Sequence, residues 1–191
     1  MSSLRLFFAL VPRAQASATL VAEVAPLVAQ LQAQPVPAHN LHATLCFVGA
    51  IESERLDALR DAAKNIRGGR ATLTFDSLEV WEQPKILCAI AGIGGEAQPA
   101  AELAQHLGDA IIAAGFSPDI KPFRPHFTLG RKVRSELAAG PEWPRPLAAP
   151  VVMRADRFAL MESRRTEGGS LYSVVDSWPL DSRETQCFEE K

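Results

Sequence analysis

The sequence predicts a mixed fold of helices and strands that is built from two similar halves. The order strand, helix and second strand beginning His-x-Thr-Leu occurs twice along the chain. The segment LRLFFALV precedes a helical segment and HATL, and the segment KILCAIAG later precedes another helical segment and HFTL. Two units of similar length and order indicate a duplicated element that faces itself across a cleft.

Each element follows from a local hydrophobic pattern and the residues that end it. Apolar runs and alternating positions predict strands at residues 4–11, 41–48, 72–81, 86–90, 123–133, 151–161 and 171–178. Apolar residues at helical spacing predict a first helix after Pro12, a second beginning at Ser53 and a third over residues 99–114. Pro26 should kink or split the first helix. The Pro-, Ala- and Gly-rich residues 137–150 are predicted as a loop.

We expect residues 1–181 to form one domain and residues 182–191 to form a polar tail. The first apolar run is short for a targeting signal and is followed at once by Pro12, so a buried strand is favoured. No segment approaches transmembrane length. No heptad pattern is visible, which favours a monomer.

Composition and charge exclude two broad classes of function. The chain has 191 residues and a formal net charge of -2, so it lacks the global positive charge of a general nucleic-acid binder. Its three cysteines, Cys46, Cys88 and Cys187, have no zinc-site spacing and favour a reducing cytoplasm. Residues 121–165 nevertheless carry ten of the 20 basic side chains. This segment is either a positive surface for an anionic ligand or part of an ordinary mixed surface.

The strongest chemical signal is the repeated motif that begins at His42 and at His126. On a strand, residues two apart point to the same face, so His42 projects with Thr44 and His126 with Thr128. Two such strands would gather two imidazoles and two hydroxyls around one point. One imidazole could accept a proton from an attacking oxygen while the other donates one to a leaving oxygen, and the hydroxyls could bind phosphate oxygens. The alternative is a pair of strand histidines whose nitrogens are satisfied by the backbone.

The sequences around these histidines carry a family resemblance. NLHATLCFVG (residues 40–49) and FRPHFTLGR (residues 123–131) resemble the paired motifs of the two-histidine phosphoesterase superfamily. The closer resemblance is to bacterial and archaeal RNA 2′,3′-cyclic phosphodiesterases, also called 2′-5′ RNA ligases. The opening RLFFAL and residues 160–164 and 172–178 extend it over nearly the whole chain. The resemblance implies an α+β fold with two lobes, whose antiparallel sheets flank a central groove and whose helices lie outside.

The resemblance also implies a reaction and the roles of individual residues. A terminal 2′,3′-cyclic phosphate would be opened to a 2′-phosphate. His42 would donate a proton to the leaving 3′ oxygen, and His126 would accept a proton from water. Thr44, Thr128 and Arg131 would bind the phosphate. A 5′-hydroxyl in place of water would give a 2′-5′ linkage without ATP. No metal or cofactor is expected, and the partners would be RNA with 2′,3′-cyclic phosphate ends or small cyclic nucleotides.

Two other interpretations keep the same fold. The chain could bind RNA ends without turnover, or it could act on another substrate such as ADP-ribose cyclic phosphate or 2′-5′ oligoadenylate. Of the remaining histidines, His39 is expected in a loop and His106 at the border of the third helix. Aromatic residues, including Phe47 and Trp81, are expected mainly in the core, although one could stack on a base at the mouth of the groove.

Overall fold

The computed structural model describes residues 3–138, 143–167 and 169–181, so the predicted tail at 182–191 lies outside the described residues. Within the described ranges, two antiparallel sheets combine with three α-helices, which confirms the predicted α+β class. The elements in chain order are β1 (Ser3–Leu10), α1 (Ala14–Gln30), β2 (Gln34–Pro35), β3 (Ala43–Glu52), α2 (Leu56–Lys64), β4 (Ala71–Trp81), β5 (Ile86–Ala91), α3 (Gln98–Ala113), β6 (His126–Arg131), β7 (Arg145–Ala155), β8 (Arg157–Thr166) and β9 (Gly169–Pro179). The division of the chain into one domain and a tail stays a prediction.

The two sheets contain the duplicated unit that the sequence predicts. The first sheet has the strand order β3-β1-β8-β9, and the second has the order β2-β6-β5-β4-β7. β1 and β3 are antiparallel neighbours joined through α1, and β5 and β6 are antiparallel neighbours joined through α3. Each sheet therefore holds one strand pair from the repeat. The second strand of each pair begins in a His-x-Thr-Leu motif, β6 at His126 and β3 one residue after His42.

The first and third helices tie the two halves together. α1 packs against β6 of the second sheet, and α3 packs against β3 of the first. Leu20 and Val24 of α1 and Leu103 and Leu107 of α3 are buried in one core cluster with residues of both sheets. Removing this apolar surface from water is the main force that holds the motif strands in place. Among the described residues, no helix is both long enough and apolar enough to cross a membrane.

The first helix differs from the expectation at Pro26. α1 continues through Pro26 as a single helix, so the predicted split is wrong. Proline has no backbone N–H, and the carbonyl of Ala22 therefore lacks its usual helical partner. Because Ala22 and Pro26 are both exposed, water can satisfy that carbonyl and the helix continues.

The strand predicted at residues 151–161 is in fact two strands that belong to different sheets. β7 ends before Asp156 and lies in the second sheet, whereas β8 starts after Asp156 and lies in the first. The chain thus passes from one sheet to the other at this residue. β7 begins at Arg145, inside the predicted loop, of which residues 139–142 lie outside the described residues. β7 is an edge strand, and edge strands tolerate the prolines that suggested a loop.

Candidate active site

A cavity of about 590 Å³ is lined by residues of both sheets. The five residues predicted to form the site all line it: His42, Thr44, His126, Thr128 and Arg131. The other two histidines, His39 and His106, are exposed and lie outside the cavity lining. The structure thus brings the predicted site residues together, while the role assigned to each one stays a prediction.

The backbone around each motif explains why histidine and threonine point the same way. Burial alternates along the second motif, where His126 and Thr128 are half-buried and Phe127 and Leu129 are buried. The first motif alternates in the same way, although β3 begins one residue after His42. The alternation puts the polar side chains on the cavity face and the apolar ones in the core.

Both histidine rings are held by the backbone at the same nitrogen. Nδ1 of His42 donates a hydrogen bond to the carbonyl oxygen of Asn40 over 2.7 Å. Nδ1 of His126 donates to the carbonyl oxygen of Arg124 over 2.8 Å. A carbonyl can only accept, so the proton sits on Nδ1 and Nε2 of each neutral ring carries the free lone pair. The hydrogen bond from Nδ1 to the backbone therefore leaves Nε2 of each ring available for proton transfer.

The two carbonyl-bearing residues are themselves anchored to neighbouring strands. The buried Asn40 donates from Nδ2 to the carbonyl of Ser170 (2.7 Å) and accepts from the backbone N–H of Tyr172 (3.1 Å) on β9. Arg124 forms an ion pair with Glu79 on β4. The same carboxylate oxygen of Glu79 accepts a hydrogen bond of 2.7 Å from Nε1 of Trp81. These contacts hold the backbone that orients each imidazole.

Aromatic rings enclose the two imidazoles. The ring of His42 lies 4.8 Å from that of Phe7 and 4.9 Å from that of Tyr172, and the latter contact is edge-on. The ring of His126 lies 4.6 Å from that of Trp81. Nη2 of Arg131 donates to the hydroxyl of Tyr172 over 3.2 Å, so this tyrosine contacts residues of both motifs.

The electrostatic environment favours the neutral form of both histidines. Burial lowers the pKa of His42 to about 4, and the positive charge of Arg131 acts in the same direction. Burial also lowers the pKa of His126, with further contributions from Arg124 and Arg131. Both rings are therefore neutral near neutral pH when no anion is bound.

Sequence reasoning missed some residues of the site. Tyr172 is the only tyrosine of the chain, but nothing in the sequence around it signals a contact with His42. Asn40 stands two residues before its histidine, a position whose importance appears only once the Nδ1 bond is known. The expectation that Phe47 and Trp81 lie in the core is wrong, because Phe47 is 44% exposed and both line the cavity.

The described part of the chain gives no sign of a metal site at the histidines. Among the described residues, no group of three or more His, Cys, Asp or Glu side chains is placed to hold a metal ion. Cys46 and Cys88 are free and buried. Burial raises the pKa of Cys46 to about 11 and that of Cys88 to about 12, so both remain thiols near neutral pH.

Comparison with known proteins identifies the family. Residues 10–87 and 93–172 match the family model described as LigT-like phosphoesterase. The chain is 28% identical over 150 residues to the RNA 2′,3′-cyclic phosphodiesterase of Escherichia coli (strain K12). The aligned region covers 77% of this chain and 80% of that protein. Its fold is similar to the crystal structure of E. coli LigT in the apo form, with a TM-score of 0.81 and 27% identity over 96% of this chain and 100% of the other. The structure of E. coli LigT complexed with 3′-AMP gives a TM-score of 0.80 and 27% identity, and the match covers 94% of this chain and 99% of the other. Since the family model matches most of its length, the chain belongs to the LigT-like phosphoesterases, and its resemblance to the two-histidine phosphoesterases is confirmed.

Proposed function

We propose that this protein is an RNA 2′,3′-cyclic phosphodiesterase that opens a terminal 2′,3′-cyclic phosphate to a 2′-phosphate. The observation that carries the proposal is the meeting of two Nδ1-bound histidines, two threonines and Arg131 in one cavity. The E. coli relative carries the name of this activity, and a structure of LigT was determined with 3′-AMP. Both relatives support a nucleotide phosphate as the substrate group.

The proposed reaction uses one histidine on each side of the phosphorus. Nε2 of His126 accepts a proton from water while the water oxygen attacks the phosphorus. The bond between phosphorus and the 3′ oxygen breaks, and Nε2 of His42 gives a proton to that oxygen. Each Nδ1 keeps its hydrogen on the backbone carbonyl in both protonation states, so neither ring turns during the transfer. This division of roles is the one implied by the family resemblance.

The remaining three residues act on the phosphate itself. The hydroxyls of Thr44 and Thr128 donate hydrogen bonds to the non-bridging oxygens, whose charge shifts during the displacement. Arg131 supplies a permanent positive charge and several N–H donors for the same oxygens. Its bond to the Tyr172 hydroxyl holds the guanidinium against the cavity wall before substrate arrives.

Because the pKa of His42 is lowered, the ring must take up a proton from solvent when the anionic substrate binds. His42 must be protonated to act as the acid, whereas its burial favours the neutral ring. The bound cyclic phosphate is an anion, and a negative charge beside the imidazole raises its pKa. Substrate binding therefore prepares the acid, and the neutral His126 is already prepared to act as the base.

The test is hydrolysis of a 2′,3′-cyclic nucleotide, and of an oligonucleotide with the same end, in excess chelator. His42→Ala and His126→Ala should each lower kcat by about 10²- to 10⁴-fold, since each removes one proton-transfer group. His39→Ala and His106→Ala are matched controls, because these histidines lie outside the cavity. Full activity in His42→Ala or His126→Ala would contradict the two-histidine mechanism. Loss of wild-type activity in chelator would contradict a metal-free reaction.

The same measurements separate the other interpretations. End-dependent RNA binding without turnover would make the protein an RNA-end binder. Preferred turnover of ADP-ribose cyclic phosphate or 2′-5′ oligoadenylate would keep the mechanism and change the substrate. We also propose that the protein is a monomer and that it works in the cytoplasm. Light scattering of the purified protein measures its molar mass and so tests whether it is a monomer.

A further inference from the structure

The main cavity, which holds the two histidines, extends beyond the five predicted site residues towards one end of the first sheet. Its lining there includes Arg5 on β1, Ser163 and Arg165 on β8, and Ser170 on β9. None of these four residues has a role in the proposed hydrolysis. The cavity therefore has a basic part that the reaction at the cyclic phosphate leaves unexplained.

The strand register places these side chains on one face of the sheet. Ser163 pairs with Tyr172 and Arg165 pairs with Ser170, and residues two apart on a strand share a face. Extending the antiparallel register of β1 and β8 by one residue puts Arg5 beside Ser163. The two arginines and the two serine hydroxyls thus form one continuous patch on the cavity side of the sheet.

This patch begins where the proposed cyclic-phosphate site ends. The ring of Tyr172 lies 4.9 Å from that of His42, and its hydroxyl accepts a hydrogen bond from Arg131. Arg5 lies in the same row of the sheet as Tyr172, and Arg165 lies one row further, since two residues along a strand span about 7 Å. One ribose separates a 2′,3′-cyclic phosphate from the phosphate on the 5′ side of the same nucleoside. The spacing of the patch from the site suits that second phosphate.

The two arginines of the patch carry charges that no protein group neutralises. Arg164, which lies between the cavity-facing residues of β8, does not line the cavity and donates to the buried carboxylate of Glu162 over 2.8 Å. With the described residues, Arg5 and Arg165 form neither an ion pair nor a side-chain hydrogen bond. Both are exposed, so their guanidinium groups are available to an anion that enters the cavity.

Hydrogen bonds fix the end of the sheet that carries Arg165. Nδ2 of Asn40 donates to the carbonyl of Ser170 over 2.7 Å, which ties β9 to the segment before His42. The hydroxyl of Thr166 donates to a backbone carbonyl at the start of β9 over 2.9 Å and closes the hairpin. A backbone that is held before the ligand arrives loses little freedom on binding.

We propose that Arg5 and Arg165, with the hydroxyls of Ser163 and Ser170, bind the phosphate on the 5′ side of the terminal nucleoside. This inference rests on the proposed function. Arginine and serine are common ligands of nucleic-acid phosphates, and such contacts carry no preference for a base. The favoured substrate class is therefore a 2′,3′-cyclic phosphate whose nucleoside also carries a 5′ phosphate, as every oligonucleotide end does.

The experiment compares three substrates that end in the same cyclic phosphate. They are cytidine 2′,3′-cyclic phosphate, its 5′-phosphorylated form and the dinucleotide CpC with a 2′,3′-cyclic end. Formation of the 2′-phosphate is measured by chromatography in excess chelator. We expect kcat/KM to be at least tenfold higher for the two substrates with a 5′ phosphate, mainly through a lower KM, because hydrogen bonds to charged groups are the stronger ones. Raising the salt from about 50 to about 200 mM should reduce this advantage.

A double variant then tests whether the two arginines cause the preference. Arg5→Met with Arg165→Met should bring the ratio of kcat/KM between the phosphorylated and unphosphorylated cytidine substrates close to one. The ratio compares two substrates in one preparation, so a loss of folded protein cancels. Arg13→Met with Arg154→Met is the matched control, because both residues are exposed, lie outside the cavity lining and remove the same charge. It should keep the wild-type ratio.

Three results would overturn the inference while leaving the hydrolase proposal intact. The first is equal kcat/KM for all three substrates in the wild type. The second is a wild-type ratio that survives in Arg5→Met with Arg165→Met. The third is an equal loss of the ratio in the control variant, which would show an effect of net charge and not of a site. Absence of hydrolysis of all three substrates, by contrast, would overturn both proposals.

Discussion

His42 and His126 make the same hydrogen bond, from Nδ1 to the carbonyl oxygen of the residue two positions earlier. The residues that supply these carbonyls are chemically different, since one is Asn40 and the other is Arg124. Each is nevertheless anchored by its side chain to a strand outside its own motif, Asn40 to β9 and Arg124 to Glu79 on β4. The orientation of each imidazole therefore depends on a neighbour that does not itself line the main cavity.

Replacing Asn40 by alanine tests this dependence. The variant loses both side-chain bonds to β9, so the carbonyl that orients His42 is no longer fixed. We expect kcat for cyclic-nucleotide hydrolysis to fall about 10- to 100-fold, as small misplacements of a reacting group do, with KM changed little. Steady-state kinetics measures the split between the two constants.

Asn65→Ala is the control for Asn40→Ala, because Asn65 is exposed at the end of α2. It should match the wild type in both kcat and KM. Denaturant unfolding of both variants separates misorientation from loss of the fold. A rise in KM with an unchanged kcat in Asn40→Ala would contradict a positioning role for Asn40.

The motif histidines and threonines were predictable because two residues on one strand share a face, whatever the rest of the chain does. The contact between Asn40 and Tyr172 was not, because it joins residues 132 positions apart and leaves no local pattern. The passage from one sheet to the other at Asp156 was missed for a related reason. Two short apolar strands in succession read as one strand, and only tertiary packing separates them.

The half-buried His42 should make the stability of the protein depend on pH. The pKa of its imidazole is about 4 in the folded state, against 6.5 for an ordinary histidine. The unfolded chain therefore binds more protons between these values, and the free energy of unfolding falls as pH drops from 6.5 towards 4. We expect His42 to account for about 2 kcal/mol of this fall, after allowing for its partial exposure.

Urea unfolding at pH 7 and pH 4.5 measures this contribution in His42→Gln against the wild type. The variant should lose less stability between the two pH values, because glutamine does not titrate. His106→Gln serves as the control, since His106 is exposed on α3, and its loss should match the wild type. Equal losses in His42→Gln and the wild type would show that His42 titrates normally in the folded protein.

The pH dependence of hydrolysis should differ between kcat/KM and kcat. The pKa of both histidines in the free enzyme is lowered, so a bell-shaped profile of kcat/KM should have its maximum below pH 6.5. The bound anion raises these pKa values, and the maximum of kcat should therefore lie at higher pH. The two maxima report the pair of histidines together. Rates from pH 4 to 9 in chelator decide the matter, and a kcat/KM maximum above pH 7 would count against the lowered pKa values.

Arg131 and Tyr172 should act as one unit in phosphate binding, because the arginine donates to the tyrosine hydroxyl over 3.2 Å. Arg131→Met should lower kcat/KM by about 10²- to 10³-fold, as losing a donor to the developing charge does. Tyr172→Phe keeps the ring against His42 but frees the guanidinium, so KM should rise about 3- to 10-fold. If the Tyr172 hydroxyl acts only through Arg131, the double variant Arg131→Met with Tyr172→Phe should have the same kcat/KM as Arg131→Met alone. Additive losses in kcat/KM would instead mean that the Tyr172 hydroxyl contacts the substrate directly.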